Sequence, residues 1–404
     1  MEYLHPSSLP SSKSELSIFT VPPTQVAIDS TYEVEYRPSA SLESSKVHTI
    51  EVPASKDFTD LSETMLHLNF EILDAADIKV TTDVVKGVEN FGNSLFDQVD
   101  FFIGTVNTSQ ATNMYHYQSY LEDLLFRHPT TADKGRYDSS VNLKNTMELY
   151  FRLHLPMCTQ DKLLLNGLPL LFRFTRSKEK FPLLCSSTIE YKIKITHLSL
   201  HMKRVKLFPD AQAGIISALK ASPAKYFITR NDTKSFSLSK GVQTVNIENI
   251  FNGILPRRVI VGLVDEAAFA GNYKDPYNFE HANITHISLN VDGVTHPSIP
   301  YQPNFPDNCM REFVNLFRVL GQDEGVPQIE MSYATFKESK TLFAFDLGGG
   351  LGAETGALSL LKRGAVRLEI RFKEATTKAY KIVVFGQFDN LITIDNDRLV
   401  TLDY

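Results

Sequence analysis

The chain has 404 residues, 43% hydrophobic and 22% charged, with a formal net charge of −6. Those proportions exclude a disordered chain, and the length exceeds a single core and fits two domains of roughly 100 to 200 residues. The acidic balance argues against a protein that coats nucleic acid, because neutralising phosphates requires a basic surface.

Residues 1–45 are rich in Ser and Pro (HPSSLPSSKSE, TVPPTQ, RPSASLESS), a composition that buries too little surface to offset its ordering entropy. They are read as an arm that is flexible alone and orders against a neighbour. The N-terminus lacks the basic-then-apolar layout of a secretory signal, and no window approaches the roughly 18 apolar residues of a membrane helix. Folding in the cytosol or nucleus is therefore expected. From Val47 onward the apolar period is mainly two, as at Tyr191-Lys192-Ile193-Lys194-Ile195, the pattern of a half-buried antiparallel strand.

Six landmarks then follow in one order and recur about 190 residues later, the mark of a repeated structural plan. A strand-like run at 64–73 (TMLHLNFEIL) matches 257–264 (RRVIVGLV), and the runs 96–106 (FDQVDFFIGTV) and 287–294 (ISLNVDGV) both contain a Gly turn near their ends. Short helices are expected at 120–127 (YLEDLLFR) and 311–320 (REFVNLFRVL). Strands follow at 149–153 and 342–347, then at 170–174 and 366–372, and long alternating strands at 189–205 and 380–394 close the halves. One further helix is expected at 210–221, ahead of Pro223.

Many strands, few helices and loops rich in Gly, Pro and Asn indicate antiparallel sandwiches. Roughly eight strand candidates in about 180 residues suit an eight-stranded jelly roll better than a seven-stranded immunoglobulin domain, and the chain contains no Trp. The expected fold class is all-β, two tandem eight-stranded antiparallel jelly rolls with a few short helices in loops. The expected organisation is a flexible arm at 1–45, a first jelly roll at 46–208, a connector at 209–225 and a second jelly roll at 226–404.

Gly348, Gly350 and Ala353 form a GxGxxA arrangement after an apolar run, with Glu369 downstream; the chain remaining is too short for a doubly wound sheet, so a loop between strands is favoured. His197 and His201 share a strand face if period two holds, but no carboxylate or cysteine follows at ligand spacing, and two histidines on a partly solvated strand is the favoured reading. Cys158 near His154 is read as a packed thiol. Cys158, Cys185 and Cys309 form no CxxC pair and are expected to be reduced and partly buried. The basic runs Lys203-Arg204 with Lys206, Lys178 with Lys180, and Arg257-Arg258 are read as solvated faces, one of which could line a surface that meets DNA. The N-x-S/T triplets at Asn107, Asn231 and Asn283 are read as chance matches. No catalytic, cofactor-binding or metal-binding residue is assigned, and no cofactor is expected. The chain is not expected to be an enzyme.

The last third resembles the double jelly-roll major capsid proteins of Polinton (Maverick) elements and adintoviruses. Residues 341–347 (TLFAFDL) resemble that family's aromatic-rich strand ending in Phe-Asp-Leu. Residues 361–372 (LKRGAVRLEIRF) resemble its Leu-Ile-x-x-Gly-x-x-Arg-Leu-Glu-x-Arg-Phe segment, and 388–394 with the terminal 403–404 resemble its closing stretch. Residues 256–265 and 273–279 are also similar. The Gly run at 348–352 departs from the polar turn usual there, the likeness is weaker over 47–205, and the arm has none.

The resemblance implies a major capsid protein of the lineage shared with the adenovirus hexon. Its implied behaviour is a pseudo-hexameric homotrimer, the capsomer, which assembles a lattice of trimers and an icosahedral shell around double-stranded DNA. Implied partners are other copies, penton and minor capsid proteins, and packaged DNA through weak or non-specific contact, without a membrane span. The implied location is the virion, with synthesis in the host cytoplasm and the host nucleus as a candidate assembly site. Two other classes stay open at this stage: a carbohydrate- or receptor-binding double β-sandwich, spike- or lectin-like, using an aromatic groove of Tyr273, Tyr277 and Tyr301, and a metal enzyme on a cupin-like jelly roll.

Overall fold

The computed structural model describes residues 14–16, 18–19, 21–42, 45–80, 85–126, 147–186, 190–322, 331–348 and 362–404. The alternating segments form strands. The first half contains β1 (Ile28–Tyr36), β2 (Val47–Val52), β3 (Phe58–Asp74), β4 (Val85–Gly87), β5 (Phe96–Ile103), β6 (Val106–Asn107), β7 (Met147–Arg152), β8 (Leu170–Arg176), β9 (Leu183–Cys185) and β10 (Tyr191–Leu207). The second contains β11 (Ala224–Leu238), β12 (Thr244–Ile254), β13 (Arg258–Asp265), β14 (Ile284–Val291), β15 (Val294–Tyr301), β16 (Leu342–Asp346), β17 (Arg363–Phe372), β18 (Tyr380–Ile394) and β19 (Val400–Leu402). The helices are α1 (Phe91–Ser94), α2 (Tyr115–Phe126), α3 (Pro209–Ala221), α4 (Glu266–Phe269), α5 (Met310–Leu320) and α6 (Tyr333–Glu338).

In the first half one sheet runs β1-β10-β3-β7 and the other β2-β8-β5-β6; in the second half they run β11-β18-β13-β16 and β12-β17-β14-β15. The ribbon β4-β9 and the added strand β19 lie outside this plan. With those set aside and the strands of each half counted in order, both halves read first-eighth-third-sixth and second-seventh-fourth-fifth. That is an antiparallel jelly roll used twice, as the sequence leads one to expect. The six repeated landmarks fall on equivalent elements: β3 with β13, β5 with β14, α2 with α5, β7 with β16, β8 with β17 and β10 with β18.

One boundary is corrected. Residues 28–36, assigned to the arm by composition, form β1, which pairs antiparallel with β10 from Ile28↔Leu207 to Tyr36↔Leu200. Six of its nine residues are exposed and none is fully buried, so this edge strand leaves little burial pattern to read. α2 also begins at Tyr115, ahead of the expected start at 120, and Arg127 lies outside the described residues.

Close packing explains one glycine. Gly386 on β18 lies under the Phe251 ring, where a Cβ would come within 2.5 Å of a ring carbon, closer than a packed interior tolerates. α3 links the two halves: Pro209 occupies its first turn, where the missing N–H costs nothing, and only Leu219 is buried along it.

Candidate functional site

The place where the sequence departs most from simple alternation is the seam between the barrels. Nine of the twelve residues of α2 are buried, which a surface helix with one apolar stripe would not show. Tyr117, Tyr120, Leu121 and Leu125 belong to the second barrel's core, while Tyr115 belongs to the first. The exchange is reciprocal, because Ile392 and Ile394 of β18, Val400 of β19, and Tyr226 and Ile228 of β11 pack into the first core. The 15-residue strands β11 and β18 therefore reach out of their own barrel into the other.

Aromatic residues with polar tips hold this seam, burying ring area while each hydroxyl finds a partner. Tyr120 stacks on Tyr277 at 4.0 Å between centroids and 5° between planes. The Tyr117 hydroxyl donates to the Pro276 carbonyl at 2.9 Å, and the Tyr277 hydroxyl donates to the His116 carbonyl at 3.1 Å. Tyr226 accepts from the Leu165 N–H and donates to the Leu163 carbonyl, each at 3.1 Å. Burial raises the Tyr120 and Tyr277 hydroxyls well above the ordinary tyrosine value, so both stay protonated donors.

Two charged knots lie in the same region. Lys340 places its Nζ 2.8 Å from Glu89 Oε2 and 3.1 Å from the Tyr277 carbonyl, and also meets the Tyr120 hydroxyl; Tyr120 in turn donates to Glu89 Oε2 at 2.6 Å. Burial alone would push the Glu89 carboxyl up, but Lys340 and Tyr120 more than offset it and leave it below the ordinary value. In the second knot Glu122 accepts from Gln118 at 2.9 Å and Asn231 at 2.7 Å and meets His154 Nδ1 at 2.8 Å, with Asp123 3.3 Å from His154 Nε2. His116 is pushed down to about 3, by burial first and Lys178 second, and stays neutral. The cleft beside this knot, lined by Gln98, Tyr115, Gln118, His154 and Asn231 among others, holds about 10 Å³, enough for roughly one water and too small for an organic ligand. The arrangement can lock two bodies at a fixed angle.

His197 and His201 do share a face of β10, and His67 of β3 joins them, its ring centroid 4.9 Å from His197 and 5.7 Å from His201. His67 escaped the sequence reading because period two relates residues of one strand, whereas register places His67 opposite Ser199. No group of three or more His, Cys, Asp or Glu side chains among the described residues is arranged to hold a metal ion. Both ring nitrogens of His154 meet carboxylates, and Cys158 and Cys309 are buried while Cys185 is half-buried. Glu369 pairs with Arg371 at 2.6 Å on antiparallel β17, while Gly350 and Ala353 lie outside the described residues.

The basic runs are corrected at Arg204, Arg257 and Arg258, which lie wholly or largely inside the fold, while Lys178 and Lys206 are exposed as expected. Arg204 is buried and bonded to Thr59 and to the Tyr36 hydroxyl, Lys203 lies 3.7 Å from Asp60, and Lys206 lies 2.6 Å from Asp29. Arg257 pairs with Asp389 at 2.9 Å, Arg258 is buried against Gln387, and Lys180 pairs with Glu190 at 2.5 Å. These cations are largely neutralised within the fold. The aromatic groove is corrected as well: Tyr277 and Tyr301 are buried in the core, and Tyr273 is half-buried against Tyr191. Asn231 is buried in the seam and bonded to Glu122. No helix among the described residues is long and apolar enough to cross a membrane.

Comparison with known proteins places this architecture. The chain is similar to the capsid protein in a solved capsid of the virus PBCV-1, at 10% identity, covering 96% of this chain and 99% of that one with a TM-score of 0.65. It is similar to a chain in the Sputnik virophage structure, at 10% identity, 98% and 93% coverage and a TM-score of 0.62. The mavirus major capsid protein matches at 11% identity, 100% and 97% coverage and a TM-score of 0.55. These are double jelly-roll capsid proteins, and the likeness is one of fold. In sequence, an uncharacterized protein of Caenorhabditis elegans, F54H12.2, is 21% identical over 384 residues, spanning 86% of this chain and 91% of that protein. No family model matches.

Proposed function

We propose that the chain is a major capsid protein with a structural, non-catalytic role. Three copies form a pseudo-hexameric capsomer, capsomers pack into an icosahedral shell, and the shell encloses double-stranded DNA. The observation that carries this reading is one strand order used twice in a single chain, with the two barrels locked by a buried seam. Six barrels of one plan approximate sixfold symmetry in a trimer, so a threefold object can tile a lattice. A joint set within the chain fixes the angle between barrels before assembly begins.

The likeness to capsid proteins over nearly the whole length supports this reading. The Polinton and adintovirus lineage is supported by the C-terminal segments that resemble it and by a relative in a nematode, where a genome-resident copy would be found. Penton and minor capsid proteins are the proposed partners beyond the chain itself. DNA contact is proposed to be weak and non-specific, in keeping with basic runs neutralised within the fold. We place the protein in the virion, made in the host cytoplasm, with the host nucleus as the assembly site. We take α3 as the division between the two domains. Electron microscopy of the purified protein at high concentration tests the reading: hexagonal capsomers or closed shells are expected, and featureless monomers under all salt conditions would contradict it.

A further inference from the structure

The seam within the chain has a direction. The first barrel offers α2, the helix between its fifth and sixth strands, and the second barrel receives the first on β11, its own first strand. Asn231 of β11 donates to Glu122 of α2 at 2.7 Å, and the Tyr226 hydroxyl at the start of β11 meets the Leu165 N–H and the Leu163 carbonyl of the first barrel, each at 3.1 Å. The two sides of this joint are different surfaces, which makes it heterologous. Each barrel therefore carries one surface of this kind that the chain itself does not use: the helix of the second barrel and the first strand of the first.

Those two surfaces are the exposed ones. α5 holds in the second barrel the place that α2 holds in the first, yet it buries three of its eleven residues where α2 buries nine of twelve. Met310 and Val314, one turn apart on its outer side, are 51% and 46% exposed, and Ile299, whose carbonyl accepts from Arg311 at 2.7 Å, is 69% exposed. β1 holds the place of β11. It has no fully buried residue, whereas β11 buries seven of its fifteen.

Charge matches as well. Asp29, Glu33 and Glu35 are exposed on β1, and Arg311 and Arg318 are exposed on α5. The three carboxylates also meet Lys206, His201 and Arg37 of their own chain, so opposite charge across the joint sets its orientation and partner more than its strength. The apolar side chains of α5 supply the area to be buried.

We propose, resting on the capsid reading above, that copies of this chain join head to tail, α5 of one copy seating on β1 of the next as α2 seats on β11 within the chain. Three such joints alternate with three intrachain seams and close a ring of six barrels. A second copy is the occupant because only another first barrel presents the equivalent of the strand that α2 covers.

Hydrogen exchange and native mass spectrometry on the full chain test the joint apart from the trimer. In the unaltered chain, amides of 28–36 and 310–320 are expected to gain protection together, at least about fivefold, between the dilute monomer and the trimer. Val314→Glu places a carboxylate against the acidic strand and is expected to raise the trimer dissociation constant at least about tenfold. The melting temperature of the dilute monomer should not change, because residue 314 is exposed there. Trimers in which 28–36 and 310–320 keep their monomer protection, or which tolerate Val314→Glu, overturn this joint and leave the capsid reading standing. A chain that never forms trimers overturns both. Should the variant fail to fold, exchange on the unaltered chain alone decides.

Discussion

At the scale of single residues, the seam depends on buried groups having their partners. Lys340 is nearly fully buried, and removing it leaves Glu89 with the Tyr120 hydroxyl but without its cation. Lys340→Met is therefore expected to cost about 2 to 3 kcal/mol, less than the full penalty of an orphaned buried charge because Glu89 remains 42% exposed. Urea denaturation measures it, and adding Glu89→Gln should recover part of the loss; a Lys340→Met chain as stable as the parent would contradict the role given to this knot. Asp97 runs the other way. Burial, opposed by backbone hydrogen bonds, raises its carboxyl to about 6, so its folded form favours the proton and stability is lost as pH rises from the ordinary aspartate value through about 6. Asp97→Asn should gain roughly 1 kcal/mol at neutral pH after discounting for solvent screening, with the gain disappearing near pH 4. Equal effects at both pH values would refute it.

At the scale of elements, strands whose alternate residues enter a core were legible, because burial of every second side chain is written directly into β3, β8, β10 and β17. β1 was not, since an edge strand with three half-buried residues and none fully buried carries little such imprint. The length of α2 was hidden because it is buried all round, which removes the 3.6-residue stripe that marks a surface helix. The seam partners were invisible because Lys340 and Glu89 lie 251 positions apart, and no local pattern links them. The position of β1 also sharpens the test of the arm. Leu16, Ile18, Phe19, Val21 and Val26 ahead of it are all at least 70% exposed, Phe19 at 94%, and in the proposed assembly this apolar surface would meet a neighbouring copy. Deleting residues 1–26 leaves β1 in place and is expected to preserve the monomer's melting temperature while impairing assembly into larger particles, as read by light scattering. Assembly that proceeds unimpaired would remove that role from the arm.

At the scale of the whole molecule, each core contains residues from the other half, so neither barrel keeps its packing when the other opens. Calorimetry should give one unfolding transition. Removing residues 395–404 takes Val400 from the first core and should lower that transition without splitting it; two separate transitions in the intact chain would mean that the barrels are only loosely joined. A rigid two-barrel body is also what threefold packing into a pseudo-hexagon requires, since flexible halves would pay for each contact in lost orientational freedom.

The most direct test is the mass of the purified protein in solution at micromolar concentration, measured by sedimentation or native mass spectrometry. A species of three times the chain mass is expected, dissociating on dilution as mass action demands. A stable monomer at every concentration and salt, or a closed dimer, would contradict it.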